Sequence, residues 1–544
     1  MKMNYTEMVE KFSWDKVLEK FDWDANKKFN FAHECCDRWA NNPERVAIYW
    51  EDENGKKETW TYQQLKEQTN QMANALVSKG IEKGDRVAGL LGKDMELIFT
   101  VIATWKIGAI YVPLFTAFGP EALLHRLNDS GVKLLVTNKE QGAKLEGEKT
   151  ECTILTIDGQ VEAGLSFHDF LKSFSSDYEV AHTKVTDPFT IQYTSGSTGK
   201  PKGAVWAHKI LISSDQYATE AMGIDENDIF YGGADMGWAY GLINCTLAPL
   251  SYGIPILVYK GPFDVENTYR LLEEYQVTNF AYAPTAYRMM KAAGADLIKK
   301  YDLKVAKFSS AGEPLNAEVV NFFKQNFGRE IYDHYGSTET GMIVNNYNVT
   351  DMEIKPGSMG LPSPSYKVAL LNEEGKKVKK GEIGQIALDS TEFSFYFLGY
   401  WNDPEKTQQK LIGKWFLSGD LASEDEEGYF WFQGRIDDII SSAGYRIGPF
   451  EVESCLMEHS AVTEVAVVGK PDEAKGEIVK AYVVLAPNIN PAENLAQELS
   501  QFVKNKLSKH QYPREIEFVE SLPKTQSGKI QRFLLKAKAK ASQV

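Results

Sequence analysis

The chain has 544 residues, 43% of them hydrophobic and 12% aromatic, with a formal net charge of -15. That is the composition of an ordinary folded protein rather than a disordered one, and the length exceeds a single compact core, so two or more domains are expected. The negative mean field repels phosphates, which argues against general nucleic-acid or anionic-membrane binding and means that an anionic ligand needs local cations or a metal.

The opening residues Met1 to Glu7 are followed by Glu10, Lys11 and Asp15, not by an apolar run, so no signal-peptide pattern is seen. The first convincing helix spans Tyr62–Ser78, with Leu65, Thr69, Met72, Ala73 and Leu76 on one face. Thr61 with Gln64 makes a capping box, and Gly80 suits the exit. Short apolar runs at 86–91, 133–137, 152–157, 189–193, 254–259 and 279–283 read as buried strands, and helical stretches near 99–107 and 267–275 alternate with them. This predicts an α/β class with a parallel component in its sheets. Residues 236–259 carry no formal charge, but Asn244, Pro249, Ser251, Gly253 and Pro255 divide them into buried pieces of a soluble fold rather than a membrane span.

Around 373–377 a polar turn joins strand-like runs at 367–371 and 384–388, the texture of a β-rich subdomain. A domain boundary is expected near 434–438, dividing a large unit, 1–435, from a small α+β unit, 436–544. In the latter a helix starts near Pro449, strands fall at 464–468, 479–485 and 516–519, and 495–507 is amphipathic. The cysteines Cys35, Cys36, Cys152, Cys245 and Cys455 are odd in number and show no CxxC spacing, against a zinc site or a disulfide framework and in favour of a reducing cytoplasm.

The stretch from Tyr193 to Gly203 holds three glycines, four Ser/Thr hydroxyls and two lysines, and no acid. Glycines let backbone N–H groups converge on an anion, hydroxyls add neutral donors and lysines add charge, so it reads as a polyphosphate cradle rather than a bland polar loop. It lacks the Walker A spacing, and Pro201 disfavours a helical Lys200, which demotes a P-loop NTPase. Residues 522–532 form a second basic, glycine-containing and acid-free run.

Five segments, in order and spacing, resemble the adenylate-forming enzymes: acyl-CoA synthetases, luciferases and peptide-synthetase adenylation domains. They are Thr194 to Gly203, Ser310 to Pro314, Tyr332 to Glu339, Ser418-Gly419-Asp420, and Gly434-Arg435 through Arg446 with Lys529 beyond. The resemblance implies a large amino-terminal domain of layered α/β subdomains plus a β-rich subdomain, and a small mobile carboxy-terminal domain. It implies ATP, Mg²⁺ and coenzyme A as co-substrates and cofactor, an acyl-adenylate intermediate, and small-molecule partners only. Homo-oligomerisation stays open.

In that resemblance Thr194, Ser195, Gly196, Ser197, Thr198, Gly199, Lys200, Pro201 and Lys202 hold the β- and γ-phosphates. Glu339 binds Mg²⁺, a hard cation suited to carboxylate oxygen, and Thr338 contacts the α-phosphate or acyl oxygen. Gly312, Glu313, Pro314, Asp333, His334, Tyr335, Gly336 and Ser337 belong to the adenine side. Asp420 takes the ribose hydroxyls, where taken alone it reads equally well as a turn aspartate. Arg435 lies near the ribose and Arg446 near the phosphates, permanently charged. Asp437 is the hinge, and Lys529 bridges carboxylate and α-phosphate, then withdraws. Ala443, Gly444 and Tyr445 line the pantetheine channel, with Lys475 and Lys504 toward the CoA phosphates.

Trp238, Ala239, Tyr240, Ala311 and Gly336 fall at acyl-pocket positions. Acetate-specific relatives carry a tryptophan where this chain has Gly336, so a cavity is expected there and with it a medium-chain, branched or aromatic acid. Tyr240 keeps a shorter propionate- or butyrate-sized pocket open as the alternative. A carrier-protein adenylation domain would need an acid to grip an amine, and Asp235 is the nearby candidate. A silent acyl-nucleotide binder is opposed by intact Glu339, Asp420 and Lys529.

Overall fold

The computed structural model describes residues 3–159, 166–194, 201–442, 445–473, 475–486, 489, 491, 494–507, 510–524 and 529–541, Arg446 by its backbone only. Their strands form four sheets, which layer with helices into a large amino-terminal unit and a small carboxy-terminal one. The α/β class is as the alternation of apolar runs and helices predicts.

Helix Tyr62–Ser78 begins at the capping box: Gln64 N donates to Thr61 Oγ1 at 3.3 Å and Thr61 N to Gln64 Oε1 at 2.9 Å. It packs against helix Met95–Ile107, which is apolar on nearly every side, is buried almost throughout and stops at Gly108 in the left-handed region. That helix starts at Asp94 rather than near 99, because Asp94 supplies the extended N-cap residue. Together they cover the seven-stranded sheet, whose order runs Phe397–Tyr400, Lys202–Ala207, Pro188–Thr194, Ile110–Pro113, Arg86–Leu90, Leu134–Thr137, Thr153–Thr156.

The nine-stranded sheet positions most of the site. Asn279–Tyr282, Lys307–Ala311 and Ile331–Ser337 run parallel, in a register that pairs Ser310 with Asp333 and Ala311 with His334, so their carboxyl ends open on one crevice. At its far edge lies a hairpin, Val46–Asp52 and Lys57–Thr61, that the sequence reading did not anticipate; Val46–Asp52 pairs in parallel with Ile256–Lys260. The uncharged run 236–259 divides into the wide helical turn Tyr240–Leu247, the short helix Ala248–Leu250 and that strand. Among the described residues no helix is long and apolar enough to cross a membrane.

The β-rich part is a sheet of Val368–Leu371, Ile383–Asp389, Trp415–Glu424 and Leu411–Ile412, with Phe430–Arg435 paired to Trp415–Glu424. The small unit has its own core, including Ile440, Val452, Leu456, Val467, Val483, Leu499 and Val503. Its last helix, Arg532–Ala541, seats Leu535 and Ala539 against Ala466, Val468 and Tyr482. Just before it, Lys524 and Ile530 form an antiparallel bridge, Gln531 N donates to Pro523 O at 2.8 Å, and Lys524 Nζ meets Glu464 at 2.6 Å.

Candidate active site

The glycine-rich stretch joins two antiparallel strands: Tyr193 pairs with Gly203 and Thr194 with Lys202. Ser195, Gly196, Ser197, Thr198, Gly199 and Lys200 lie outside the described residues, as do Ala443, Gly444 and the Arg446 side chain. Lys202 holds its ammonium 5.3 Å from the centre of the Tyr400 ring, and the Tyr400 hydroxyl donates to Glu339 Oε1 at 2.7 Å. The strand carrying Tyr400 pairs with the one carrying Lys202, so the sheet edge fixes cation, ring and carboxylate in one row.

Glu339 sits in the turn between Ile331–Ser337 and Gly341–Asn345. Ser337 N and Oγ both meet Thr340 Oγ1, at 3.1 and 3.0 Å, and the Thr338 carbonyl accepts from Trp206 Nε1 at 2.8 Å and Tyr396 OH at 3.1 Å. The turn is therefore braced from three sides. Glu339 keeps lone pairs beyond those used by Tyr400 and by Ser337 Oγ at 3.4 Å. Among the described residues no group of three His, Cys, Asp or Glu could cage a metal. The donor set fits a cation that completes its shell with phosphate and water oxygens, as Mg²⁺ does.

Asp420 pairs across the sheet with Arg435. Its Oδ2 accepts from Tyr335 OH at 2.7 Å, and Arg435 Nη1 stands 3.5 Å from Oδ1. Burial pushes the Asp420 carboxyl above the usual range, with Arg435 and the tyrosine hydroxyl pulling it back. Glu313 is held by Arg288 at 2.8 Å and Thr285 at 2.6 Å. Asp333 is buried, its Oδ1 has no hydrogen-bond partner among the described residues, and burial drives its carboxyl well above the ordinary range. His334 is a different matter from the expectation that it faces adenine: its Nε2 donates to Asn346 O at 3.1 Å and its Nδ1 accepts from Tyr217 OH at 3.1 Å. Both ring nitrogens are spent inside the protein, and burial lowers its pKa to about 3.

Lys529 reaches this crevice from the small unit. Its ammonium lies 5.7 Å from the centre of the Trp238 ring. The residue as a whole is open to solvent, yet the protein packed around the ammonium pulls its pKa below the lysine value, opposed first by Asp420 and Glu313 and then, against the added pull of Arg435, by Glu339. An open cleft tempers that depression.

Trp238 fills the space that a side chain at residue 312 would take: an ideal Cβ on Gly312, φ +105°, would stand 2.5 Å from Cη2. Ala311 is buried beside it, and the Trp238 and Tyr240 rings are 5.4 Å apart. Because Asn346 O can only accept, His334 carries its proton on Nε2 and Tyr217 donates to Nδ1, with the Tyr240 hydroxyl 3.3 Å from that of Tyr217.

The expected cavity at Gly336 is corrected. Residue 336 adjoins a register shift between Ile331–Ser337 and Gly341–Asn345, and an ideal Cβ there would stand 2.2 Å from the Gly341 carbonyl oxygen and 2.8 Å from Met342 Sδ. The glycine permits a close approach of two backbones and does not open a pocket.

Residues 36–401 match the family model described as AMP-binding enzyme, and residues 451–529 match the AMP-binding enzyme C-terminal domain. The chain belongs to the AMP-binding enzyme family. This AMP-binding enzyme is 40% identical over 545 residues to the acetyl-coenzyme A synthetase of Bacillus subtilis (strain 168), covering 98% of this chain and 95% of the relative. It is 35% identical over 529 residues to the mitochondrial acyl-coenzyme A synthetase ACSM3 of Rattus norvegicus, covering 94% and 90%. Among solved structures, the anthranilate CoA ligase AuaEII in complex with anthranoyl-AMP superposes with a TM-score of 0.86 at 31% identity, over 95% of this chain and 98% of that one. The AMP-binding enzyme is thus an AMP-forming acid–thiol ligase that consumes ATP and CoA.

In this AMP-binding enzyme, Asp437 lies in the short 3-10 turn Ile436–Asp438, and Lys536 of the last helix reaches the Asp437 carbonyl and Asp438 Oδ1. Tyr445 is exposed and stacks on His510 at 4.2 Å. Lys475 lies in the turn of a hairpin, its N–H on Asp472, and Lys504 lies 5.2 Å from the Tyr512 ring centre. Neither lysine belongs to the group around Glu339, Asp420 and Lys529. Tyr400 and Tyr217 are the residues that sequence reasoning missed; each acts on a partner far along the chain, and nothing local marks them.

Proposed function

We propose that this enzyme activates a monocarboxylate of the medium-chain, branched or aromatic class, with Lys529 as a cation that serves the first half-reaction and leaves before the second. The carrying observation is the Lys529 ammonium over Trp238, where an apolar wall meets the carboxylates of Asp420, Glu313 and Glu339. A substrate carboxylate oxygen attacks the α-phosphorus, and the bond to pyrophosphate breaks. The CoA sulfur, having lost its proton to solvent, then attacks the acyl carbon, and AMP departs with the C–O electron pair. Two unit charges 4 Å apart cost about 4 kcal/mol at a surface-like dielectric, a repulsion that one interposed ammonium reverses.

In this reading Thr194 to Lys202 hold the β- and γ-phosphates, Thr338 meets the α-phosphate, Asp420 and Arg435 hold the ribose, and Gly312 to Pro314 with Asp333 and Tyr335 to Ser337 flank adenine. Glu339 would hold Mg²⁺, which supplies charge neutralisation of the triphosphate. Residues 436–544 turn about Asp437, bringing Ala443, Gly444 and Tyr445 to the pantetheine arm, with Arg446 near phosphate and Lys475 and Lys504 toward the CoA nucleotide. Asp235 does not offer itself to a substrate amine, since its Oδ1 accepts from Gly237 N at 2.7 Å, which disfavours an amino-acid-activating domain.

The closure at Gly336 and the buried Tyr240 favour a second reading, a short-chain acid. Pyrophosphate release and CoA-thioester formation across acetate, propionate, butyrate, hexanoate, octanoate and benzoate separate the two. Each buried methylene adds about 0.8 kcal/mol, so kcat/KM climbs beyond butyrate on the first reading and peaks at or below butyrate on the second. Pyrophosphate release with no thioester from any acid would overturn both.

A further inference from the structure

Lys410 caps the helix Pro404–Gln409 and is fixed by its backbone on both sides, its N–H on the Thr407 carbonyl at 3.1 Å and its own carbonyl accepting from Leu417 N at 2.8 Å. Its half-buried side chain turns toward Gly419, the residue before Asp420. An ideal Cβ at Gly419, φ +92°, would stand 3.4 Å from Lys410 Nζ and 3.5 Å from Arg435 Nη2, so the two cations converge on one point beside Asp420. The Lys410 ammonium makes no hydrogen bond or ion pair among the described residues. Arg435 has loose ion pairs with Asp420 at 3.5 Å and Asp437 at 3.9 Å, and among the described residues its buried Nε has no hydrogen-bond partner.

With Lys202 and Lys529 these two make four positive charges, set against the carboxylates of Glu339, Asp420, Glu313 and Asp437. A chain that is acidic as a whole has gathered several positive charges here, and a half-buried ammonium with no hydrogen bond or ion pair among the described residues is suited to a multiply charged anion. Of the charges around the lysine, Glu339 is the foremost carboxylate and Lys202 a nearby cation, which places it toward the phosphate row.

We infer that Lys410 is a further nucleotide-binding residue that grips the pyrophosphate end of ATP, an inference resting on the adenylation chemistry proposed above. The test uses the full chain with Lys410→Met and Lys410→Arg. Acid-dependent ATP–pyrophosphate exchange gives KM for ATP and for pyrophosphate, and supplied acyl-AMP with CoA reports the half-reaction that has no β- or γ-phosphate. Lys410→Met is expected to raise both KM values roughly 10-fold or more, the worth of a charge-assisted hydrogen bond. Thioester formation from acyl-AMP should stay within about 2-fold, and Lys410→Arg should restore most of the affinity. Unchanged KM values in Lys410→Met, or equal loss in both half-reactions, would overturn the assignment while wild-type exchange left the adenylation reading standing. Absence of exchange in the wild type with every acid would instead bring down that reading and the inference with it.

Discussion

Replacing Tyr335 by phenylalanine removes one oxygen and keeps the ring. That oxygen is the donor 2.7 Å from Asp420 Oδ2, whereas Arg435 stands at 3.5 Å from the other oxygen, beyond a good hydrogen bond. Asp420 is 8% exposed, so water cannot take over the lost contact. A hydrogen bond to a charged, buried carboxylate is worth about 1.5–3 kcal/mol, roughly a 10- to 150-fold change in the ionisation equilibrium. Burial already raises this carboxyl, and the hydroxyl works against that rise, so the substitution makes protonation easier. On the proposed assignment of Asp420 to the ribose, only the ionised form offers both oxygens to two hydroxyls. The acidic limb of kcat/KM for ATP, followed by ATP–pyrophosphate exchange from about pH 5 to 9, is therefore expected to move to higher pH, with a smaller loss on the plateau. A limb that stays in place, or a uniform drop at every pH, would refute the coupling.

Lys529→Ala is expected to cut adenylate formation by roughly 100-fold or more while acyl-AMP is still converted to thioester within a few fold; equal losses would contradict the division of labour. The charged lysine is needed, and its pKa lies below that of a free lysine because of burial, so adenylation should fall on the alkaline side before an ordinary lysine would titrate. Gly336→Ala would force a Cβ to 2.2 Å from a carbonyl oxygen, and an overpacking cost of about 1–3 kcal/mol should appear as a lower thermal midpoint; an unchanged midpoint with a shift toward acetate would restore the open-cavity view. His208 and His334 are buried and neutral, each held down to about 3 by burial. The unfolded histidines take up protons near 6.5, so the stability is complete above that pH and is lost as pH falls toward 3, about 2 kcal/mol each by pH 5. Urea midpoints at both pH values check this for wild type and His208→Gln, and a pH-independent wild type would refute it.

The elements that were legible in the sequence are those with a local cause. The helix Tyr62–Ser78 carries its own cap and stripe, and the apolar runs at 86–91 and 279–283 are each continuous enough to be read as buried strands. The hairpin at 46–61 was not, since Val46–Asp52 owes its place to a parallel partner some two hundred residues on, at Ile256–Lys260. Gly336 misled for a similar reason: its role depends on where Gly341 falls across a bulge, a matter of register rather than residue type. Glu339 and Asp420 stood out within their motifs, but the hydroxyls that aim them, on Tyr400 and Tyr335, lie 61 and 85 residues away. Lys410 looks like any surface lysine in a charged helix until Gly419 and Arg435 are folded against it.

The bridge between Lys524 and Ile530, with Lys524 tied to Glu464 and the last helix packed behind it, sets the neighbouring ammonium on the small unit like an outrigger on its hull. Such a group is carried by its vessel. On the proposed division of labour, the timing of the exchange between half-reactions is governed by how readily one body undocks from the other, and a covalent staple across that seam, placed far from any reacting atom, is expected to stall turnover after a single adenylyl transfer to the acid.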